Sequence, residues 1–124
     1  MAAIGVLGAG TWGMALARML CNSGHEVQVW SALPEEIDVL AATGRHPKLS
    51  QMDIPGALKY TKSIQDVCTD KDLLLFAVPS VFVRSTVRAA YPYVAPGQLI
   101  VDVAKGIEPG SLFTMTQVIR DELS

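Results

Sequence analysis

Residues 8–20, GAGTWGMALARML, constrain this chain more than any other stretch. Gly8, Gly10 and Gly13 stand in the spacing G-x-G-x-x-G, between the apolar run Ala3–Leu7 and a helical apolar pattern. A strand that turns on glycines into a helix is the first half of a βαβ unit. That unit commits a chain to a parallel sheet.

The remaining residues keep the alternation. Gly13–Asn22 reads as a helix with Met14, Leu16, Ala17 and Leu20 on its apolar faces, ended by Gly24. Glu26–Trp30 is the expected second strand, with Val27 and Val29 alternating with Glu26 and Gln28. Pro34, Glu35 and Glu36 suit the first turn of a second helix that runs to about Ala42. Gly44–Gly56 reads as a loop, and Leu58–Thr61 as a short third strand. Ser63-Ile64-Gln65-Asp66 reads as a capping box that opens a short helix. Asp72–Val78 is the expected buried strand, stopped by Pro79, after which Ser80 caps a helix from Val81 to about Ala90. Gln98–Val103 is a last strand, and Gly110–Leu123 a last helix, amphipathic through Leu112, Met115, Val118 and Ile119. The strands are mostly apolar on both sides, which calls for a sheet covered on both faces. The fold class is therefore α/β: a Rossmann-type doubly wound parallel sheet, with residues 1–124 as one dinucleotide-binding domain.

Composition agrees and excludes other classes. The chain has 124 residues, is 50% hydrophobic and 18% charged, and has a mean hydropathy of +0.32, so it can bury a core. The net charge is −2 with cations scattered, which argues against nucleic acid or an anionic membrane as partner. The longest apolar run, Leu73–Val78, is six residues and too short to span a bilayer. No basic region precedes the first apolar stretch, so no signal peptide is expected, and two lone cysteines suit reduced thiols of a cytoplasmic protein. Cys21 and Cys68 are lone cysteines, expected as buried reduced thiols, and no metal-ligand spacing occurs.

The glycine turn explains itself as a phosphate cradle. Gly8 allows the sharp turn, Gly10 lets a pyrophosphate approach the backbone, and Gly13 lets the helix pack on the sheet. Thr11 and Trp12 lie inside the turn, and the helix N-terminus directs N–H groups and partial positive charge at the ligand. The usual acidic residue at the end of the second strand is missing: Trp30 is followed by Ser31-Ala32-Leu33. Ser31 can hydrogen-bond a ribose but cannot pair with a 2′-phosphate. Glu35 and Glu36 read first as complements to a helix dipole. The cofactor is thus NAD or NADP, and the lack of an Arg leans toward NAD.

Two strand ends complete the candidate site. FAVPS places Val78 and Pro79 where a cofactor would lie, outside the carboxyl end of a central strand. VAKGIEPGS places Lys105 at the mouth of the same crevice, able to pair with a phosphate or a developing alkoxide. Trp30 is expected in the core. His25 and His46 show no ligand spacing and are assigned no catalytic role.

Four motifs, GAGTWGMALA, VQVW, LLLFAVPSVFVRS and VAKGIEPGSL, stand in one order. Together they resemble the N-terminal part of the bacterial soluble NAD(P)-dependent glycerol-3-phosphate dehydrogenases, over about Ile4 to Leu123. The resemblance implies hydride transfer between a nicotinamide and the dihydroxyacetone phosphate/glycerol 3-phosphate pair, feeding glycerophospholipid synthesis. It implies Thr11 and Trp12 at the cofactor, and Lys105 at both cofactor and substrate. It also implies a helical second domain that carries the general acid–base lysine and most of the substrate pocket. Family members commonly carry Arg or His-Arg after the Trp of the second strand, where Ser31, Ala32 and Leu33 stand here. No catalytic residue is assigned within this chain. It is expected to be a cofactor-binding domain of a longer enzyme, able to bind without turning over, with an apolar face that self-associates and a homodimer as one assembly. The rival readings are another reductase of similar layout, of ketopantoate or hydroxy-acid type, and a non-catalytic dinucleotide sensor.

Overall fold

The computed structural model describes residues 1–49 and 51–123. Among them five strands form one parallel sheet: Ala3–Leu7 (β1), Glu26–Trp30 (β2), Lys59–Thr61 (β3), Leu73–Phe76 (β4) and Leu99–Asp102 (β5). Their order is β3-β2-β1-β4-β5. The chain leaves β1 in one direction for β2 and β3, then returns to place β4 on the other side of β1. The order thus reverses between β1 and β4, which opens a crevice at their carboxyl ends.

Helices Thr11–Asn22 (α1) and Pro34–Thr43 (α2) belong to one face; Ile64–Cys68 (α3), Val83–Ala90 (α4) and Met115–Leu123 (α5) belong to the other. The period-two alternation of the strands sorts the core between them. Ile4, Val6, Val27, Val29 and Leu75 pack with Met14, Ala17, Ile37 and Leu40. Leu7, Leu74 and Phe76 pack with Val67, Val83, Val87, Val118 and Ile119. Each such large buried side chain contributes about 1.5–3 kcal/mol of transfer free energy. Trp30 is half-buried against the second cluster, in line with its expected core role.

Register fixes what lies at the crevice. Leu7 pairs with both Trp30 and Phe76, and Phe76 pairs with Asp102, so four strands end level. The ladder reaches one residue further: Gly8 N–H donates to the Trp30 carbonyl (2.7 Å), Ala77 N–H to Leu7 (2.8 Å), and Val103 N–H to Phe76 (3.0 Å). The residues just past those bonds emerge along a single edge.

Several boundaries depart from the sequence reading. α1 starts at Thr11, two residues before Gly13, with Gly10 as its N-cap. β4 stops at Phe76, three residues short of Pro79, since Ala77 and Val78 already bend toward the glycine turn. Ser80 does not cap a helix: Ser80–Phe82 is a 3-10 turn whose N-cap is Pro79, and α4 begins at Val83. The last helix begins at Met115, not Gly110. Before it the chain folds back on itself, with an antiparallel bridge between Ile107 and Thr114 and Leu112 at φ +61°. Leu112 is consequently exposed and contributes nothing to the apolar stripe. Thr114 and Gln117 form the cap instead: Gln117 N–H donates to Thr114 Oγ1 (3.3 Å), and Thr114 N–H donates to Gln117 Oε1 (2.9 Å). Finally β5 is one edge of the sheet and is not covered on both faces, with Leu99 and Val101 exposed.

Candidate functional site

The glycine turn is built by three different constraints. Gly8 has φ +133°, and a Cβ there would lie 2.5 Å from the Ala77 carbonyl carbon and 2.8 Å from the Val78 nitrogen. A Cβ on Gly13 would collide with the Gly8 carbonyl oxygen. Both glycines are demanded by the fold itself. Gly10 is not. Its backbone, at φ −74° and ψ −170°, suits any residue, and an added Cβ would meet no atom of the described residues within 4 Å. What Gly10 keeps open is the space above the N-terminus of α1, where a ligand phosphate would sit. No acidic residue occupies the first turn of α1, so its positive end is uncompensated.

On one side of this turn lies a cavity of about 450 Å³, lined among others by Gly10, Thr11, Trp12, Val78, Pro79 and Lys105. Lys105 is the only charged residue among the described residues that line it. Trp12 is 71% exposed, an unusual position for an indole without a ligand. Of the residues picked from the sequence, Gly8 and Gly13 shape the turn, and Gly10, Thr11, Trp12, Val78, Pro79 and Lys105 meet in this cavity.

Lys105 itself is exposed and forms no hydrogen bond or ion pair among the described residues. Its loop is held firmly. Ala104 N–H donates to Asp102 Oδ1 at 2.8 Å. Gly106 turns at φ +115°. Glu108 then anchors the loop to α4 through Arg84, whose guanidinium also reaches Asp121 (2.8 Å) and Glu122 (2.7 Å) on α5. Hydrogen bonds from Arg84 and then Ser111 hold the Glu108 carboxyl down at about 2.

Ser31 lies elsewhere, at the end of β2 and on the far side of the turn. It is 5% exposed, and its hydroxyl is engaged within the chain, donating to Glu36 Oε1 (2.5 Å) and accepting from Leu33 N–H (3.0 Å). Beside it is a second cavity, of about 190 Å³, lined by Ala9, Glu35, Glu36, Val39, Leu40, His46, Pro47 and Lys48. His46 has no catalytic role legible in its sequence neighbourhood. The structure buries it, places Nε2 3.1 Å from the Ala9 carbonyl, and lets Nδ1 accept from Lys48 N–H (3.0 Å). His46 thereby ties the irregular loop after α2 to the glycine turn, a contact 37 residues apart that no local pattern signals. His25 likewise has a structural partner, accepting from Ala2 N–H at Nδ1 (3.0 Å). Burial pushes the Cys68 thiol up to about 11, which fits an inert buried thiol.

The two cavities flank the glycine turn at the carboxyl edge of the sheet, the layout that an extended dinucleotide crossing the turn requires. A larger cavity, about 680 Å³, lies at the opposite edge around His25, Glu26 and Lys71, away from the turn and from every residue of the candidate site. Among the described residues no helix is long and apolar enough to cross a membrane.

Known proteins share this sequence and fold. Residues 3–124 match the family model described as NAD-dependent glycerol-3-phosphate dehydrogenase N-terminus. An NAD(P)+ glycerol-3-phosphate dehydrogenase 2 of Lactobacillus delbrueckii subsp. bulgaricus is 64% identical over 124 residues, which are 100% of this chain and 37% of that protein. An NAD(P)+ glycerol-3-phosphate dehydrogenase of Agathobacter rectalis is 42% identical over 99% of this chain and 37% of its own length. The crystal structure of a glycerol-3-phosphate dehydrogenase from Coxiella burnetii superposes with a TM-score of 0.89 at 27% identity, covering 98% of this chain and 38% of that one. The chain thus spans a little over a third of the length of the relatives it matches.

Proposed function

This chain belongs to the NAD-dependent glycerol-3-phosphate dehydrogenase N-terminal family, and from that premise we propose that residues 1–124 form the dinucleotide-binding domain of such an enzyme. The observation that carries the reading is Gly10. None of the described residues needs a glycine there, and the space it leaves open faces a helix N-terminus. NAD or NADP is the ligand that this cradle and the two flanking cavities fit.

The whole enzyme would move a hydride between the nicotinamide and carbon 2 of the dihydroxyacetone phosphate/glycerol 3-phosphate pair. The residues of this chain hold and orient. N–H groups at the start of α1, with Gly10 and Thr11, receive the pyrophosphate. Val78 and Pro79, with Trp12, supply the apolar walls on the nicotinamide side and exclude water. Lys105 presents its ammonium to the cofactor and to the phosphate or hydroxyl of the substrate. None of these groups is assigned the proton transfer that accompanies hydride transfer. That role falls to the lysine of the helical second domain that the resemblance implies, so the 124 residues alone bind without turnover. In this reading the product supplies glycerophospholipid synthesis in the cytoplasm. The partners are the phosphorylated substrate, the helical domain and a second copy of the enzyme.

The test is a titration of this chain with NADH, exciting tryptophan and reading quenching and energy transfer to the nicotinamide. Saturable transfer from Trp12 is expected. A folded sample that shows none overturns the proposal, and steady reduction of dihydroxyacetone phosphate by the chain alone overturns its non-catalytic part.

A further inference from the structure

We infer that Glu36, positioned by Ser31, is the group that makes this domain prefer a coenzyme with a free ribose 2′-hydroxyl over one with a 2′-phosphate. The inference rests on the dinucleotide reading of the glycine turn and goes beyond it to a specificity-determining side chain. The sequence lacks an acidic residue directly after β2, where Ser31 stands. The structure supplies one from the next element. Glu36 lies in the first turn of α2, and its carboxylate folds back to the strand end, where Oε1 accepts from Ser31 Oγ–H at 2.5 Å. Ser31 is itself oriented by accepting from Leu33 N–H. The other Glu36 oxygen, Oε2, has no partner among the described residues.

Glu36 lines the smaller cavity together with Ala9 of the glycine turn. A ribose lying there would offer hydroxyl donors to a carboxylate that only accepts, which is a charge-assisted bond. A 2′-phosphate has only acceptor oxygens and would place like charge against it. The positive end of α2 would otherwise welcome an anion, but Glu35 and Glu36 both occupy its first turn. Among the described residues lining the cavity, Lys48 is the one lysine or arginine, against two carboxylates, and it is exposed. The balance therefore favours the uncharged ribose.

The test titrates the chain and its Glu36→Gln variant with NADH and with NADPH, by the tryptophan energy-transfer signal and by calorimetry. Glutamine keeps the side-chain length and an acceptor for Ser31, so the fold is retained, and circular dichroism checks it. The unsubstituted chain is expected to bind NADH at least roughly tenfold more tightly than NADPH. In Glu36→Gln the ratio shrinks by roughly tenfold, through weaker NADH and stronger NADPH binding. Ser31→Ala, which frees the carboxylate to wander, narrows the ratio less. Equal affinities in the unsubstituted chain, or an unchanged ratio in Glu36→Gln, overturn this inference and leave the dinucleotide site standing. Failure of folded chain to bind either coenzyme overturns the site and this inference with it.

Discussion

Arg84 clasps Glu108 with two hydrogen bonds, Nε to Oε2 at 2.7 Å and Nη2 to Oε1 at 2.9 Å. The pair joins α4 to the loop that carries Lys105. Both side chains are only partly exposed, at 26% and 22%. A planar guanidinium meeting a carboxylate edge to edge fixes geometry as well as charge.

The clasp has an acid limit. Glu108 titrates at about 2 in the fold, below the ordinary 4.5, so the folded chain takes up its proton less readily than the unfolded chain. Its contribution to stability is complete above about 4.5 and is lost as the pH falls toward about 2. Glu122, lowered by Arg88 and Arg84, adds in the same direction. Melting temperatures followed by circular dichroism should therefore drop across that window. Glu108→Gln should melt lower near neutral pH and show a shallower acid limb; an acid limb as steep as that of the unsubstituted chain would mean the pair contributes nothing.

The three turn glycines should separate cleanly. Gly13→Ala and Gly8→Ala push a methyl group into backbone and should each cost about 1–3 kcal/mol in urea unfolding. Gly10→Ala meets open space and should stay within roughly 0.5 kcal/mol of the parent. Its affinity for NADH should nevertheless fall by roughly tenfold or more, because the methyl group enters the phosphate's place. Tight NADH binding by Gly10→Ala would remove the main support for the cofactor site.

Lys105→Met should fold as the parent does, since the ammonium has no partner among the described residues. Stability within roughly 0.5 kcal/mol is expected. NADH binding should weaken by roughly twofold to tenfold, and the difference should shrink as salt is raised. Isothermal titration at two ionic strengths reads both. A salt-independent loss would point to altered packing instead of charge.

At the sheet edge, Leu99 and Val101 are 62% and 40% exposed on one face of β5. An uncovered apolar edge strand invites pairing with another chain. Light scattering should show association that grows with concentration, and Leu99→Lys should suppress it at a stability cost below roughly 0.5 kcal/mol. A parent chain that stays monomeric at high concentration would contradict this.

Much of the fold was legible because its signals are local. Val27 and Val29 alternate because one sheet face takes both, and Gly8, Gly10 and Gly13 sit where a strand must turn into a helix. The misreadings also have local causes. Leu112 sits three residues before Met115 and so mimics a helical stripe, but Gly110 and the positive φ at Leu112 close a turn there. The Thr114–Gln117 capping box was a readable signal that placed the true start.

Local signals along the chain are enough for the alternation of strands and helices, the glycine turn, and the set of residues that leave the strand ends at AVPS and AKGIE. These follow from periodicity and from backbone limits acting within a few residues. Three features come from long-range packing alone: Glu36 brings a carboxylate to the end of β2, His46 braces Ala9, and Arg84 holds the Lys105 loop. Each joins residues from different elements, through side chains whose reach depends on helix phase and strand register. Those are set by the packing of the whole sheet, so no stretch of the chain read alone contains them.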